Sequence, residues 1–334
     1  MITKISTCVT DETNPYHNLA LEEALLYAVN PGECILYLWQ NRNTVVIGRN
    51  QNSRAECRID ALCADGGFVA RRLSGGGAVF HDLGNLNFTF LMQEADYNLD
   101  RQLAVILQAV QSLAIPAEKT GRNDLTVHGQ KFSGNAFYHT KTRAYHHGTL
   151  LLAADFEKMS HYLTVAPDKL AAKGVASVRA RVVNLAALNP DITVERMKDA
   201  LTAAFGQVYD LVPMPFDENR IDAKNLAQRI EKFASDAWRI GAEPAASCVI
   251  QKRFDWGSLA LHLQTNGGCI THVQIYSDAM DADLAPLLTR CLTGAVFSPH
   301  GVTQALLAAQ TPAATAAMLR QVTQMMEDYF DEHL

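Results

Sequence analysis

Tight turns between short apolar runs constrain the fold of this chain most strongly, because they favour strands that pair as antiparallel hairpins. Gly129 lies at the turn of a hairpin predicted over residues 125–132, and an Asn-Gly-Gly turn follows another strand candidate at 266–268. Helix candidates such as 99–115, with apolar residues at helical spacing, lie between the hairpins. The strict strand–helix alternation of a parallel sheet is absent, so we predict an α+β fold.

The length predicts two domains, because 334 residues exceed what one hydrophobic core usually holds. Small residues and a proline change the character of the chain at 241–246, which indicates a linker. We predict a large domain of mixed and antiparallel sheets with flanking helices over residues 1–242, a linker over 243–248, and a small α+β domain over 249–334.

The composition is that of a globular protein, with 48% hydrophobic and 19% charged residues. The net charge is −6 and the basic residues are scattered, so no basic face predicts a nucleic-acid partner. No stretch approaches the roughly 20 apolar residues of a membrane span, and the first residues lack a charged-then-apolar signal. We therefore expect a cytoplasmic protein with no membrane and no nucleic-acid partner.

The seven cysteines are odd in number and form no CxxC pair, which predicts reduced thiols rather than a disulfide framework or a zinc site. None of them lies between Cys63 and Cys248. We expect the four cysteines before this gap to be buried apolar residues. They are Cys8, Cys34, Cys57 and Cys63.

The segment Arg71–Asp82, RRLSGGGAVFHD, combines two adjacent arginines with three glycines. Glycine lets backbone N–H groups approach an anion closely, and arginine forks suit phosphate or carboxylate. The segment is neither a Walker loop nor a GxGxxG dinucleotide motif. Three glycines alone more often mark a hairpin turn flanked by solvated arginines, and both interpretations stay open here.

Two further segments carry candidate polar groups. Asn123 and Asp124 precede a strand, where such a pair usually forms a turn but can also supply an oxygen to magnesium. Lys131 begins the return strand of the first hairpin and is followed by small residues. A lysine there is either a solvated surface group or an ammonium that bridges a substrate carboxylate and an α-phosphate.

His146 and His147 are neighbours on a strand candidate, so their side chains point to opposite faces of a sheet. One metal ion cannot bind both imidazoles without distortion of the strand, which argues against a zinc site. At most one of the two histidines faces a functional site, and we expect the other to lie in the core or at the surface.

The motifs RRLSGGGAVFHDLGN, GRNDL, KFSGNAF and HHGTLLL, preceded by NLALEE, form an ordered set along the chain. In this order they resemble lipoate–protein ligase A over most of residues 14–210. The region around RFDWG at 253–257 is similar to the small C-terminal domain of that family. Leu73 departs from the family's pattern, in which a small hydroxyl residue is common.

The resemblance implies a fold and a set of site residues. The family's catalytic domain, a mixed sheet with flanking helices shared with biotin ligases, would occupy residues 1–242. The implied ATP-binding residues are Arg72, Gly77, Ala78, Val79, Phe80, Asn123, Asp124 and Lys131. The implied lipoate-binding residues are Leu19, Arg71, Ser74, Gly75, Gly76, His81, Lys131 and His147. Lys131 would be the catalytic residue, and Asp124 would lie near a magnesium ion.

The resemblance also implies a reaction. The family uses ATP and Mg2+ to activate lipoate as lipoyl-AMP, with release of pyrophosphate, and then transfers the lipoyl group to a lysine of an apo lipoyl domain. The implied acceptors are the E2 subunits of 2-oxoacid dehydrogenases and the glycine-cleavage H protein. We expect the chain to act in this way as a monomer, without a tightly bound organic cofactor.

Three other functions stay open at this stage. An octanoyl or lipoyl transferase takes the acyl group from a carrier thioester without ATP, typically through a cysteine, and the motif-bearing span 64–247 contains none. A biotin–protein ligase shares the chemistry but has a different arginine- and glycine-rich loop. A non-catalytic protein that binds lipoate or carrier domains would not need Lys131, Arg72 and Asp124.

Overall fold

The computed structural model describes residues 1–120, 124–164, 182–241 and 246–333, without the side chains of Asp124 and His333. The chain divides into two compact units. The first unit comprises Met1–Ile47, Ser53–Arg72 and Ala78–Ile240, and the second comprises Gly48–Asn52, Leu73–Gly77 and Gly241–Leu334. Residues 243–245 of the predicted linker lie outside the described residues.

Strands and helices of the first unit alternate irregularly along the chain. The strands are β1 (Lys4–Val9), β2 (Glu33–Trp39), β3 (Thr44–Ile47), β4 (Phe68–Arg71), β5 (Val79–His81), β6 (Asn85–Gln93), β7 (Glu118–Thr120), β8 (Asp124–Val127), β9 (Gln130–Ser133), β10 (Asn135–His139), β11 (Arg143–Leu151) and β12 (Met214–Pro215). The helices are α1 (Pro15–Ala28), α2 (Ser53–Glu56), α3 (Ile59–Ala64), α4 (Leu99–Ser112), α5 (Phe156–Tyr162), α6 (Val194–Tyr209), α7 (Ala223–Ala234) and α8 (Asp236–Arg239).

The main sheet of the first unit is mixed, with the strand order β10-β11-β6-β2-β1-β12. β1 runs parallel to β2 and β12, whereas the other neighbours are antiparallel. Smaller sheets with the orders β4-β3-β5 and β7-β8-β9 complete the unit. The predicted α+β class is confirmed. The hairpin pattern did not predict the parallel pair β1–β2, whose strands are joined by a crossover through α1 rather than by a turn.

The two faces of the main sheet differ in polarity. Leu86, Phe88 and Phe90 of β6 pack in the core, which includes buried residues of α4 and α6. Because side chains alternate along a strand, the odd-numbered residues of β6 lie on the opposite face. There Thr89 donates a hydrogen bond to Glu22 of α1. We call this second side of the sheet the α1 face.

A buried ion pair ties the segment after β12 to the main sheet. Glu33, with 1% of its surface exposed, accepts hydrogen bonds from Arg220 at 2.7 and 2.9 Å and from the Ser6 hydroxyl at 2.7 Å. Lys4 lies 3.2 Å from the same carboxylate. Burial raises the pKa of Glu33, but these hydrogen bonds outweigh it and lower the pKa to about 2.

The second unit is a small sheet with helices on one face. Its antiparallel strands are β13 (Cys248–Phe254), β14 (Gly257–Asn266) and β15 (Cys269–Ser277). Its helices are α9 (Leu284–Leu292), α10 (Pro299–Leu307) and α11 (Ala313–His333). Gly267 and Gly268 have φ values of 59° and 77°, which suit the turn predicted from their sequence.

One prediction from sequence is wrong, because Cys63 is exposed rather than buried. The chain before it forms the two short helices α2 and α3. They are separated because Cys57 forms a β-bridge with Leu163 and the Arg58 N–H donates to the Tyr162 carbonyl. Within the described ranges, no helix combines the length and the apolarity needed to cross a bilayer.

We expect Glu33→Gln to lower the free energy of unfolding by about 2–4 kcal/mol at pH 7, because it leaves Arg220 without its buried partner. The folded-state pKa lies below the unfolded one. The contribution of Glu33 is therefore present above about pH 4.5 and is lost as the pH falls towards about 2. Denaturant titrations across this range should show the two proteins converging at low pH. Asp100→Asn, in an exposed pair with Lys119, is the control and should cost less than about 1 kcal/mol.

Candidate active site

The two histidines of β11 face opposite sides of the main sheet. His146 is buried in the core, where its Nδ1 lies 3.0 Å from the Gln102 side chain and its Nε2 lies 2.9 Å from that of Asn135. Burial lowers its pKa to about 3. His147 lies on the α1 face. His147 therefore shares the α1 face with Glu22, whereas His146 lies in the core.

A carboxyl group of α1 connects three polar residues of the α1 face. Glu22, 1% exposed, lies 2.8 Å from Nδ1 of His147 and accepts a 2.7 Å hydrogen bond from Thr89. The Thr89 hydroxyl in turn accepts the indole N–H of Trp39 at 3.1 Å. These bonds fix the positions of side chains from α1, β2, β6 and β11 relative to one another.

Arg72 and His81 lie near this network. Burial lowers the pKa of Arg72 to about 10, opposed by the nearby Tyr145 and Glu22, so the guanidinium stays charged at neutral pH. Burial, with the charges of Arg72 and His147, lowers the pKa of His81 to about 3. An imidazole with this pKa is neutral at pH 7.

The tautomer of His81 follows from its neighbour. The amide nitrogen of Asn41 can only donate, and it lies 3.2 Å from Nδ1 of His81. Nδ1 is therefore the acceptor and Nε2 carries the proton. Among the described residues, Nε2 has no hydrogen-bond partner although it is buried. A buried N–H donor of this kind is available to an acceptor atom of a ligand.

Lys131 lies on the return strand of the predicted hairpin. His128 and Gly129 form its turn with φ values of 51° and 77°, both in the left-handed region that such a turn requires. Lys131 pairs with Thr126, is half-buried, and also forms a bridge with Val182. The next residue, Phe132, is buried in the core, so the lysine side chain points to the other side of the strand.

The structure describes most but not all of the other residues predicted to bind the nucleotide. Asn123 lies outside the described residues, and Asp124 begins β8 without a described side chain. Val79 and Phe80 are on β5, where Phe80 packs 5.5 Å from the ring of Tyr162. Ala78 adjoins this strand and is half-buried. Leu19, predicted to contact lipoate, is fully buried in α1.

The three glycines of the predicted cradle have different surroundings within the second unit. A Cβ on Gly75 would lie 2.6 Å from the Met280 carbonyl oxygen. Gly76 has a φ of 89°, and its N–H donates to the Ala279 carbonyl at 2.9 Å. A Cβ on Gly77 would meet nothing within 4 Å. Close backbone approach therefore explains Gly75, and conformation explains Gly76. Ser74, in the same segment, is fully buried.

Arg71 binds the end of α8. Its Nε donates to the Trp238 carbonyl at 2.7 Å, and one terminal nitrogen lies 3.3 Å from the Arg239 carbonyl and 3.4 Å from that of Ile240. The Trp238 indole N–H returns a 2.9 Å bond to the Arg71 carbonyl. A contact of Arg71 with lipoate stays a prediction.

Sequence reasoning did not single out several residues of this region. Glu22 occurs in the sequence only as part of the NLALEE motif, and Trp39, Thr89 and Asn41 lie outside the motifs used above. A carboxyl group within an otherwise apolar helix was the available signal for Glu22, because acidic groups are rarely buried without partners. Trp39 and Thr89 are ordinary strand residues and carry no such signal.

Comparison with known proteins assigns this chain to a class of ligases. The model of the lipoyl protein ligase A/B catalytic domain matches residues 14–206, and the model of the bacterial lipoate protein ligase C-terminus matches residues 243–325. The catalytic model spans more than half of the chain. The chain belongs to the lipoate–protein ligase A family, as the ordered motifs predict.

Individual relatives agree with this assignment. A lipoate-protein ligase A from Psychrobacter cryohalolentis is 44% identical over an alignment of 298 residues, with coverage of 87% of this chain and 88% of the relative. The crystal structure of P. falciparum LipL1 in complex with lipoate has a TM-score of 0.85 at 30% identity, covering 97% of this chain and 99% of that one. A lipoate-protein ligase A bound with ATP shares the fold, with a TM-score of 0.62 at 23% identity over 72% of this chain and 99% of that chain.

We expect Gly75→Ala to destabilise the second unit by about 1–3 kcal/mol, because the new methyl group displaces the backbone at Met280. Gly77→Ala is the matched control and should change stability by less than about 1 kcal/mol, since its methyl group enters open space. Scanning calorimetry of the two variants tests this. Equal stability of the two variants would contradict the packing role of Gly75.

Proposed function

We propose that this ligase uses ATP to convert lipoate to lipoyl-AMP and then transfers the lipoyl group to a lysine of an apo lipoyl domain. The observation that carries the proposal is the cluster of polar groups around the buried guanidinium of Arg72, in a chain whose family performs this reaction. A neutral His81 and the Glu22–His147 pair belong to the same cluster.

The first half-reaction has an electrostatic requirement. A carboxylate must attack the α-phosphate of ATP, and two anions in contact repel each other unless cations offset the repulsion. Arg72 provides a permanent cation that is already desolvated, and such preorganised charge needs no reorganisation during the reaction. Lys131 provides a second cation that bridges the acyl carboxylate and the phosphate.

The binding residues follow from this arrangement. Arg72, the segment 77–80, Asn123, Asp124 and Lys131 hold the nucleotide. Leu19, Arg71, the segment 74–76, His81, Lys131 and His147 hold lipoate. The positions of His81 and His147 near one network support the second set, and the buried N–H of His81 supports a direct hydrogen bond to the acyl substrate.

Magnesium would act with ATP, as a counterion that draws electron density from the phosphates. The described residues contain no group of three or more His, Cys, Asp or Glu side chains placed to hold a metal. A magnesium ion bound mainly through substrate phosphates needs only one or two protein carboxylates. A single aspartate at position 124 meets that requirement.

Lipoyl domains of E2 subunits and the glycine-cleavage H protein are the proposed acceptors. Their lysine amine attacks the acyl carbon of lipoyl-AMP, and AMP leaves. We propose that the chain works as a cytoplasmic monomer, with a catalytic domain over residues 1–242 and an accessory domain over 249–334. Lipoyl-AMP hydrolyses in water, so the buried polar network supports a site that excludes solvent.

The alternative, acyl transfer from a carrier thioester, needs a nucleophilic thiolate. Burial raises the pKa of Cys8, Cys34 and Cys57 to about 12, so these thiols stay protonated at neutral pH. Cys63 is exposed, and it is the remaining cysteine before the motif-bearing span.

Lys131→Ala should lower the rate of lipoate-dependent ATP–pyrophosphate exchange by roughly 100- to 1,000-fold or more, because the attacking carboxylate loses its bridging cation. Lys141→Ala, at an exposed position in the turn after β10, is the control and should keep the wild-type rate. Lipoate, octanoate and biotin are compared in parallel. Exchange with biotin alone, or full activity of Lys131→Ala, would contradict the proposal.

Cys63→Ala should leave the ATP-dependent rate within about twofold of wild type, because the ligase reaction uses no thiol. A transferase would instead show a burst of acyl-enzyme with an acyl-carrier thioester and no need for ATP. Rapid-quench mass spectrometry of wild type and Cys63→Ala separates the two. A thioester-bound acyl group on wild type that is absent from the variant would establish the alternative.

A further inference from the structure

Two asparagines on the α1 face form a hydrogen-bonded pair whose hydrogen-bonding capacity the described residues do not fully satisfy. Asn85 and Asn87 are 0% and 1% exposed, and the amide nitrogen of Asn85 donates to the Asn87 carbonyl oxygen at 2.9 Å. Among the described residues, the Asn85 oxygen and the Asn87 nitrogen have no hydrogen-bond partner. Rotating both amides exchanges the roles of the two residues but still leaves one NH2 donor and one carbonyl without a partner.

The pair lies between elements already assigned to the site. In the register of the main sheet, Asn87 faces Trp39 of β2 on one side and Thr149 of β11 on the other. The ring of Trp39 is 6.3 Å from that of His81. Asn87 therefore shares the α1 face with residues that contact His81 and the Glu22 network.

The other neighbour, Thr149, connects this region to the strand that carries Lys131. Its N–H donates to the Gly134 carbonyl at 2.9 Å, and its hydroxyl accepts the Gly134 N–H at 3.1 Å. Gly134 directly follows β9, on which Lys131 lies. The asparagine pair is thus placed between the His81 side of the site and the Lys131 side.

A buried donor without a partner destabilises the ligand-free protein, which indicates a function. We propose that the amide donor of the Asn85–Asn87 pair binds a carboxylate oxygen of the acyl substrate and positions it for attack on ATP. The inference rests on the proposed function. Carboxylate oxygens are the strong acceptors of a lipoyl or octanoyl acid, whereas the dithiolane sulfurs accept weakly and the chain carbons do not accept.

The test compares the double variant Asn85→Leu/Asn87→Leu with wild type. Leucine matches asparagine in shape and removes both amides together, so the fold loses no satisfied bond outside the pair. We expect an unchanged or higher melting temperature and a roughly 10- to 100-fold weaker affinity for lipoate and for octanoate alike, since both share the carboxylate. ATP affinity should stay unchanged. Titration calorimetry measures the affinities for lipoate, octanoate and ATP.

Asn18→Leu is the matched control for stability. Asn18 is equally buried, but its amide makes hydrogen bonds to Glu12, Gln40, Asn41 and Tyr37. This variant should melt well below wild type. If the double variant does not fold, Asn87→Ala removes the amide whose NH2 group lacks a partner, with less change to the protein, and the same binding loss is expected.

Four results would overturn the inference. Three concern the affinities of the double variant: unchanged affinity for both acids, weaker affinity for lipoate but not for octanoate, or an equally weakened affinity for ATP. The fourth is a melting temperature of the double variant as low as that of Asn18→Leu. Failure of the proposed function is distinguishable, because it appears in wild type as an absence of lipoate-dependent pyrophosphate exchange. If wild type binds neither acid, both the inference and the proposed function are contradicted.

Discussion

The buried carboxyl group of Glu22 organises the side of the main sheet on which the proposed site lies. A carboxyl group removed from water is costly unless donors surround it, and here Thr89 and His147 lie at 2.7 and 2.8 Å. These partners come from β6 and β11, while the group itself comes from α1. The position of the helix on the sheet and the position of the site's polar groups are therefore set by the same contacts.

Around this group the structure concentrates polar atoms that a purely structural core would avoid. Arg72 is charged and buried. Among the described residues, the N–H of His81 has no partner, and Asn85 and Asn87 share one hydrogen bond where two amides could make more. Each of these features lowers stability. Asn85 and Asn87 lie on β6 of the main sheet, whereas Arg72 directly follows β4 and His81 ends β5 of a smaller sheet. The face of the main sheet opposite to the asparagines, packed with Leu86, Phe88 and Phe90, has an apolar core instead.

The glycine-rich segment illustrates how one motif serves two purposes. Its first two glycines are explained by the backbone at Ala279 and Met280 and by a left-handed conformation, without any ligand. The third glycine has open space beside it. Arg71, at the start of the same motif, holds the end of α8. A motif that identifies a family thus contains residues that shape the protein as well as residues proposed to bind substrate.

The sequence by itself determined the family, the α+β class and the hairpin that carries Lys131, because ordered motifs, turn glycines and strand periodicity are local properties. It also determined that His146 and His147 point apart. Only the tertiary structure decided which histidine faces Glu22, since both faces of β11 are buried and the pattern along one strand is symmetric. The same holds for the parallel pairing of β1 with β2, for the exposure of Cys63 and for the partners of Arg71. These depend on which distant segments meet, and the free energy of burying or pairing a side chain is set by neighbours that lie far away along the chain.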